Sequence, residues 1–248
     1  ASSDATAMGG TAVYDYVRGN VQGTDEVMPD DGLRASIHGD VVHSRPLAIR
    51  YSADDVTLFY GANDGLFRAV NPADGSERWA LVAPEHFSRL QRLHENSPLI
   101  KYTGAEEGGE TLKDYFFDGS TGQLLNYDND GEIELAYIYP TMRRGGRMVY
   151  ALDVTDPDGA PDLLWRVGCP NLDNDTGCTT GFSDIGQTWS TPVGGYAEGY
   201  EDGNGDPKQV IAFGGGFDDC LNKDAATYPS ECSSANGKGV YILDAATG

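Results

Sequence analysis

The sequence predicts an all-β protein, part of a β-propeller with about three blades of four-stranded antiparallel sheets. Three observations predict it. Leu58–Leu81, LFYGANDGLFRAVNPADGSERWAL, reads as three short apolar runs separated by two tight turns, the signature of a meander. The same unit returns at Met148–Trp165 and at Val240–Gly248, with the corresponding turn positions Asn71, Asp153 and Asp244 about 80 to 90 residues apart. The composition, with 33 glycines and 14 tyrosines, suits many short strands joined by turns. A blade needs about 40–50 residues, so each period carries large insertions. One meander cannot bury both of its faces, which is why the repeat matters more than any single strand.

In chain order, residues 1–36 read as an N-terminal extension and 37–248 as the propeller fragment. Ala1–Gly10 reads as a flexible tail, Ala12–Arg18 as a short helix or strand, and Val21–Leu33 as an acidic loop. Ser44-Arg45-Pro46 opens the first strand of a blade, where the missing proline N–H is not needed, and Ser190-Thr191-Pro192 repeats the device. In the first meander Asn63-Asp64-Gly65 is a hairpin turn whose glycine can take positive φ. Asn71–Gly75 turns the chain again, and Glu77–Leu81 is a strand built around Trp79. Pro84 with Glu85 starts a connector helix that carries Phe87, Leu90 and Leu93 at helical spacing. His86 and His94 lie eight positions apart on it, the wrong spacing for an i, i+4 metal pair.

Beyond the connector, residues 104–113 are acidic and read as exposed. Tyr115–Gly119 and Leu135–Tyr139 read as strands of the second blade, which Trp165 closes. Arg143-Arg144-Gly145-Gly146-Arg147 is a dense basic cluster, expected to pair internally with carboxylates or to bond a loop. A third blade begins near Trp189, continues through Gln209–Phe213, and is unfinished at Gly248, so the chain reads as a fragment of a longer one.

The chain has 248 residues and a net charge of −22, long enough for a sizeable core and strongly acidic. That charge repels phosphate backbones and anionic lipid, so nucleic-acid and membrane-surface binding are discounted, while cations are favoured. No apolar run reaches the ~18 residues of a membrane span, and the start has neither a positive nor an apolar signal-peptide region. The four cysteines form two local pairs, Cys169/Cys178 and Cys220/Cys232, without CxxC spacing or a nearby histidine. They read as two disulfides, Cys169–Cys178 and Cys220–Cys232, stapling polar loops in an oxidising compartment, and not as a zinc site.

Asn126-Tyr127-Asp128-Asn129-Asp130-Gly131-Glu132-Ile133-Glu134 is the sharpest site motif. Oxygen ligands at alternate positions with glycine at the sixth match the first half of an EF-hand-type calcium loop. Asn126, Asp128 and Asp130 would give side-chain oxygens, Glu132 a backbone carbonyl and Glu134 a ninth-position carboxylate. The motif departs from the pattern in having Asn at the first position and Tyr137 at the twelfth. Asp173-Asn174-Asp175 and Asp202–Asp206 are weaker versions of the same idea. There is no GxSxG, P-loop or HExxH motif. The His38–Ser44 cluster on one strand cannot set triad geometry, so no catalytic constellation is expected.

Several ordered segments resemble the C-terminal propeller of the PilY/PilC family of type IV pilus tip-associated adhesins and biogenesis factors. They are Val17–Asn20, His38–Pro46, Tyr60–Val82, Met142–Pro157, Gly186–Gly195, Phe213–Asp218 and Gly239–Gly248. The resemblance implies a secreted, non-enzymatic propeller in the periplasm or outer membrane, at the cell surface or at the pilus tip. It implies pilins or pilus machinery as partners, with a host or surface ligand as a further one, and roles in pilus assembly, attachment and twitching. Family members carry a regulatory calcium loop, and Asn126–Glu134 is either that loop or a separate one. Two rivals share the AVNPADGSERW and YILDAATG patterns: pyrroloquinoline-quinone propeller enzymes and propeller scaffolds for outer-membrane assembly. In those, tryptophans plug one blade against the next, the role expected here of Trp79 and Trp165.

Overall fold

Short runs of β-branched and aromatic residues, broken by Asn-Asp-Gly and Asp-Gly turns, fold into three antiparallel meanders. The structure is a computed structural model and describes residues 3–20, 33–34, 37–101, 109–222 and 236–248. Of the acidic stretches 21–33 and 104–113, residues 21–32 and 104–108 fall outside the described residues, as does Cys232 and with it the expected Cys220–Cys232 pair.

The first sheet contains β1 (Leu47–Arg50), β2 (Val56–Gly61), β3 (Leu66–Val70) and β4 (Glu77–Val82), in that order across the sheet. The second contains β5 (Gly122–Tyr127), β6 (Ile133–Tyr139), β7 (Arg147–Asp153) and β8 (Asp162–Cys169), again in sequence order. The third has three strands, β9 (Val193–Glu201), β10 (Pro207–Gly214) and β11 (Val240–Asp244). Among the described residues it is therefore one strand short of the four expected per blade. Val193 and Ile242 flank Ala212 on one face of this sheet, and both are exposed.

The sheets stack through period-2 patterning. Ile49, Phe59, Phe67 and Ala69 of the first sheet meet Ala136, Ile138, Tyr150 and Leu152 of the second in one buried cluster. The opposite face of the second sheet packs Tyr139, Val149, Ala151 and Trp165 against Ile211 and Phe213 of the third. The middle strand β7 is buried on both sides, which explains its continuous run MVYAL.

Trp79 and Trp165 lie at these sheet interfaces, as expected. Trp165 donates from Nε1 to the Ala245 carbonyl at 3.1 Å, and the Tyr139 hydroxyl donates to the same oxygen at 3.1 Å. At the first interface the Tyr51 hydroxyl donates to the Val154 carbonyl at 2.5 Å. Trp79 packs there with Phe59 and Phe67, ring centres 5.7 and 6.2 Å away. Val154 and Ala245 each follow the aspartate that ends the third strand of their sheet, so the two interfaces use one design.

Two expectations are corrected. Residues 3–10 are not a tail: α1 (Ser3–Ala7), α2 (Thr11–Val17) and the turn between them bury Ala5, Met8 and Val13, the last two in a cluster with Leu90 and Phe116. The partner helix α3 (Phe87–Glu95) follows a 3-10 turn at Pro84–His86, close to the predicted connector. Tyr115–Gly119 is not a strand. Phe116 and Phe117 are fully buried, but their backbone faces loops and not a sheet edge. The Phe116 amide donates to Asn63 Oδ1 and the Asp118 amide to the Met142 carbonyl, so side-chain and loop acceptors replace a ladder.

Because every sheet is a meander, the molecule has two ends. The hairpins after β1, β5 and β9, and the turns after β3, β7 and β11, lie at one end. The segments that lead into β1, β5 and β9, and the β2–β3 and β6–β7 connections, lie at the other.

Candidate functional site

At the hairpin end, Asp128–Glu132 joins β5 to β6. Asp128 Oδ1 accepts from the amides of Asp130 and Glu132, both at 2.9 Å. The Asp128 amide donates to the Glu132 carbonyl, and Gly131 takes φ 84° to close the loop. Asp128, Asp130, Glu132 and Glu134 are exposed and have no ion-pair partner among the described residues. Asn126 is set apart from them. It sits within β5, and its amide exchanges two hydrogen bonds with Gln209 of β10, Nδ2 to Oε1 at 3.2 Å and Nε2 to Oδ1 at 2.7 Å. The structure therefore places the four acids around one turn and aims Asn126 at the neighbouring sheet.

Asp202–Asp206 is built the same way. Asp202 Oδ1 accepts from the amides of Asn204 at 2.8 Å and Asp206 at 3.0 Å, and Gly205 takes φ 88°. These amides, that of Asp206 foremost, hold the Asp202 carboxyl below its ordinary range. In both loops an aspartate that reads as a metal ligand, Asp128 or Asp202, is the residue that folds the turn.

The first predicted disulfide is present: Cys169, at the end of β8, is bonded to Cys178. Cys169, Asp175 and Cys178 gather their ligand atoms within 4.8 Å, but disulfide sulfurs are not thiolate ligands. Asp175 is instead paired with Arg147 at 2.9 Å. Arg147, nearly buried, also donates to the carbonyls of Ile185, Asn174 and Ser183. This part of the basic cluster does what was expected of it, tying the stapled loop to the segment before β9.

At the opposite end, residues far apart in sequence converge on Asp118, whose side chain is 1% exposed. It accepts from the His43 amide at 3.3 Å, from His43 Nδ1 at 2.6 Å and from Asn63 Nδ2 at 3.5 Å. A carboxylate only accepts, so Nδ1 carries the proton and the Nε2 edge is turned away. Glycines let the backbones approach. A Cβ on Gly61 would lie 2.0 Å from the Phe117 carbonyl oxygen, and one on Gly145 1.6 Å from that of Phe116. Ser44 Oγ accepts from the Gly61 amide at 2.9 Å, and Ser190 Oγ from the Gly214 amide at 2.8 Å, so both Ser-x-Pro segments are pinned alike. His86 is buried between Phe116 and Phe117. Burial, with the Arg89 charge adding to it, holds this imidazole well below its usual pKa and therefore neutral. No sequence motif marks the His43–Asp118 pair; the signal available was only that each lies just before the first strand of a blade.

No family model matches the chain. Curated relatives do. The type IV pilus biogenesis factor PilY1 of Pseudomonas aeruginosa (strain UCBPP-PA14) is 27% identical over 213 residues, covering 74% of this chain and 16% of that protein. A PilY1 homologue of Xylella fastidiosa (strain Temecula1 / ATCC 700964) is 27% identical over 188 residues, covering 65% and 14%. A second match from that strain is 30% identical over 154 residues, covering 60% and 9%. Among solved structures, the P. aeruginosa PilY1 C-terminal domain aligns with a TM-score of 0.44 and 23% identity, over 79% of this chain and 29% of that one. The chain thus spans less than a fifth of the length of these curated relatives. Over up to 74% of its length, then, the chain is similar in sequence to the PilY1 type IV pilus biogenesis factors.

Proposed function

We propose that this chain is a non-enzymatic propeller module of a secreted type IV pilus biogenesis factor, acting in the periplasm or outer membrane, at the cell surface or at the pilus tip. The observation that carries the reading is the 213-residue similarity to P. aeruginosa PilY1. In this reading residues 37–248 are the propeller part and 1–36 an N-terminal extension. The module works with pilins or the pilus machinery and supports assembly, attachment and twitching. The Cys169–Cys178 disulfide fits an oxidising compartment, and no helix among the described residues is long and apolar enough to cross a membrane. Removing the coding region of this chain from its source bacterium should abolish surface pili and twitching, and restoring it should recover both. Normal piliation without it would refute the reading.

Calcium regulation through Asn126–Glu134 belongs to the same proposal. Its support is the exposed, unpaired acid set around a left-handed glycine. A hard cation with 6–8 oxygen ligands would draw Asp128, Asp130, Glu132 and Glu134 together, with Asn126 joining them if it exchanges Gln209 for the ion. Calorimetric calcium titration should show binding that Asp128→Ala/Asp130→Ala abolishes. Unchanged binding in that variant would move the site elsewhere.

A further inference from the structure

The end of the molecule opposite the acidic hairpins carries two guanidinium groups that are weakly neutralised among the described residues: Arg144 has no carboxylate partner there, and Arg143 has only a long contact to Asp118. The protein has 39 acidic and 17 basic side chains, so an arginine has many carboxylates to choose from. Lys113 takes Asp40, Arg92 takes Asp114, and Arg147 takes Asp175. Arg144, by contrast, has no carboxylate within ion-pair distance among the described residues. Its guanidinium carbon lies 5.3 Å from the Trp189 ring centre and 6.0 Å from that of Tyr115.

Arg143 stacks closer on Trp189, at 4.0 Å. Its Nε approaches Asp118 only to 3.9 Å and makes no hydrogen bond among the described residues, although that nitrogen is buried. Its backbone sits at φ 48°, a conformation an arginine rarely takes, and its amide donates to the Thr188 carbonyl at 3.1 Å. Such a backbone is held by its surroundings, and here it aims the side chain at Trp189. The platform is itself fixed: Trp189 Nε1 donates to Gln187 Oε1 at 3.1 Å, and the ring lies 4.8 Å from Phe217. His43, its Nδ1 committed to Asp118, stands 6.4 Å from Tyr115 with a third of its side chain exposed.

We propose that Arg143, Arg144 and His43, backed by Trp189 and Tyr115, form a receptor for a single carboxylate group presented by a protein partner, on an acidic side chain or at a chain terminus. Planar guanidinium forks match a carboxylate in two parallel hydrogen bonds, and stacking on an aromatic face pre-orders them for it. The charge of the whole molecule selects against ligands with many negative charges, which must approach a surface of net −22. A lone carboxylate brings one charge to this cationic patch. The assignment is independent of the pilus reading, because it stands on the geometry of this patch alone.

The test uses the full chain labelled with 15N and follows the Trp189 indole and arginine Nε–H signals. The probes are N-acetylglutamate α-amide for a side-chain carboxylate, N-acetylglycine for a terminal one, and N-acetylglutamine α-amide as the neutral control. Inorganic phosphate is titrated at matched ionic strength. Saturable shifts are expected with one or both carboxylates and not with the neutral amide, and the stronger probe identifies the source. Arg144→Gln should weaken binding at least tenfold with an unchanged unfolding midpoint, and His43→Gln should weaken it less. Equal shifts with the neutral amide, retained affinity in Arg144→Gln, tighter binding of phosphate, or no response to any probe would each overturn the assignment.

Discussion

The two ends of this molecule are built by opposite means. At the hairpin end each loop satisfies itself: Asp128, Asp202 and Asp244 accept amides only two to four residues ahead, and Gly131, Gly205 and Gly248 close the turns at positive φ. At the crossover end almost nothing is local. His43 meets Asp118 across 75 residues, and Met142 donates its amide to Thr188 across 46. Glycines serve both ends for different reasons, supplying backbone freedom at the hairpins and close approach at the crossovers. The consequence is an acidic, solvated rim at one end and a packed surface with a cationic–aromatic patch at the other.

The hairpin end has a lock of its own, and breaking it should have the largest effect. Trp165→Ala removes a nearly buried indole and the bond to Ala245, and should cost about 3–5 kcal/mol in urea unfolding. Trp165→Phe keeps most of the packing and should lose only about 1 kcal/mol. A near-zero cost for the alanine variant would mean that the second and third sheets are not held through this turn.

The glycine contrast comes next. Gly145→Ala places a Cβ against a buried carbonyl and should cost roughly 3 kcal/mol or prevent folding. Gly131→Ala meets no atom and carries only the strain of its positive φ, about 1 kcal/mol. Equal costs in the same denaturation assay would erase the distinction between the two ends.

The smallest effect is on acid sensitivity. His86 is neutral in the fold because burial depresses its pKa, so the unfolded chain binds the proton first. Its contribution is fully present above about pH 6.5 and is lost as pH falls below that, by at most about 1.4 kcal/mol per pH unit. At the hairpin end, partial burial opposes the charge of Asp244, but hydrogen bonds from Lys208, Tyr200 and Thr247 outweigh it and hold the carboxyl below the usual range. Its contribution is lost only as pH falls below about 4. Stability measured from pH 7 to 5 should decline in the native chain and stay flatter in His86→Leu. Parallel curves would show that the buried imidazole is not the sensor.

What could be read from sequence follows the same division. The meanders at 58–81 and 148–165, the turns Asn63–Gly65 and Asn71–Gly75 and the Cys169–Cys178 staple were legible because each is closed by near neighbours; the Ser-x-Pro strand starts were legible from the proline itself, although their serines bond residues 17 and 24 positions away. Tyr115–Gly119 was misread because an apolar aromatic run carries no mark of whether a sheet edge or loop carbonyls will receive its amides. The N-terminal helix was missed because Ala5, its buried residue, cannot by itself show a period. The basic cluster was visible, yet its members divide: Arg147 is consumed inside the fold and Arg144 is not.

By itself, then, the order of residues determined the strands, their turns and the three-sheet repeat, since alternation and turn chemistry act over a few positions. Which groups meet at the crossover end was decided only by the stacking of the sheets. That stacking brings the segments before β1, β5 and β9 side by side, and no local propensity records a contact closed across tens of residues.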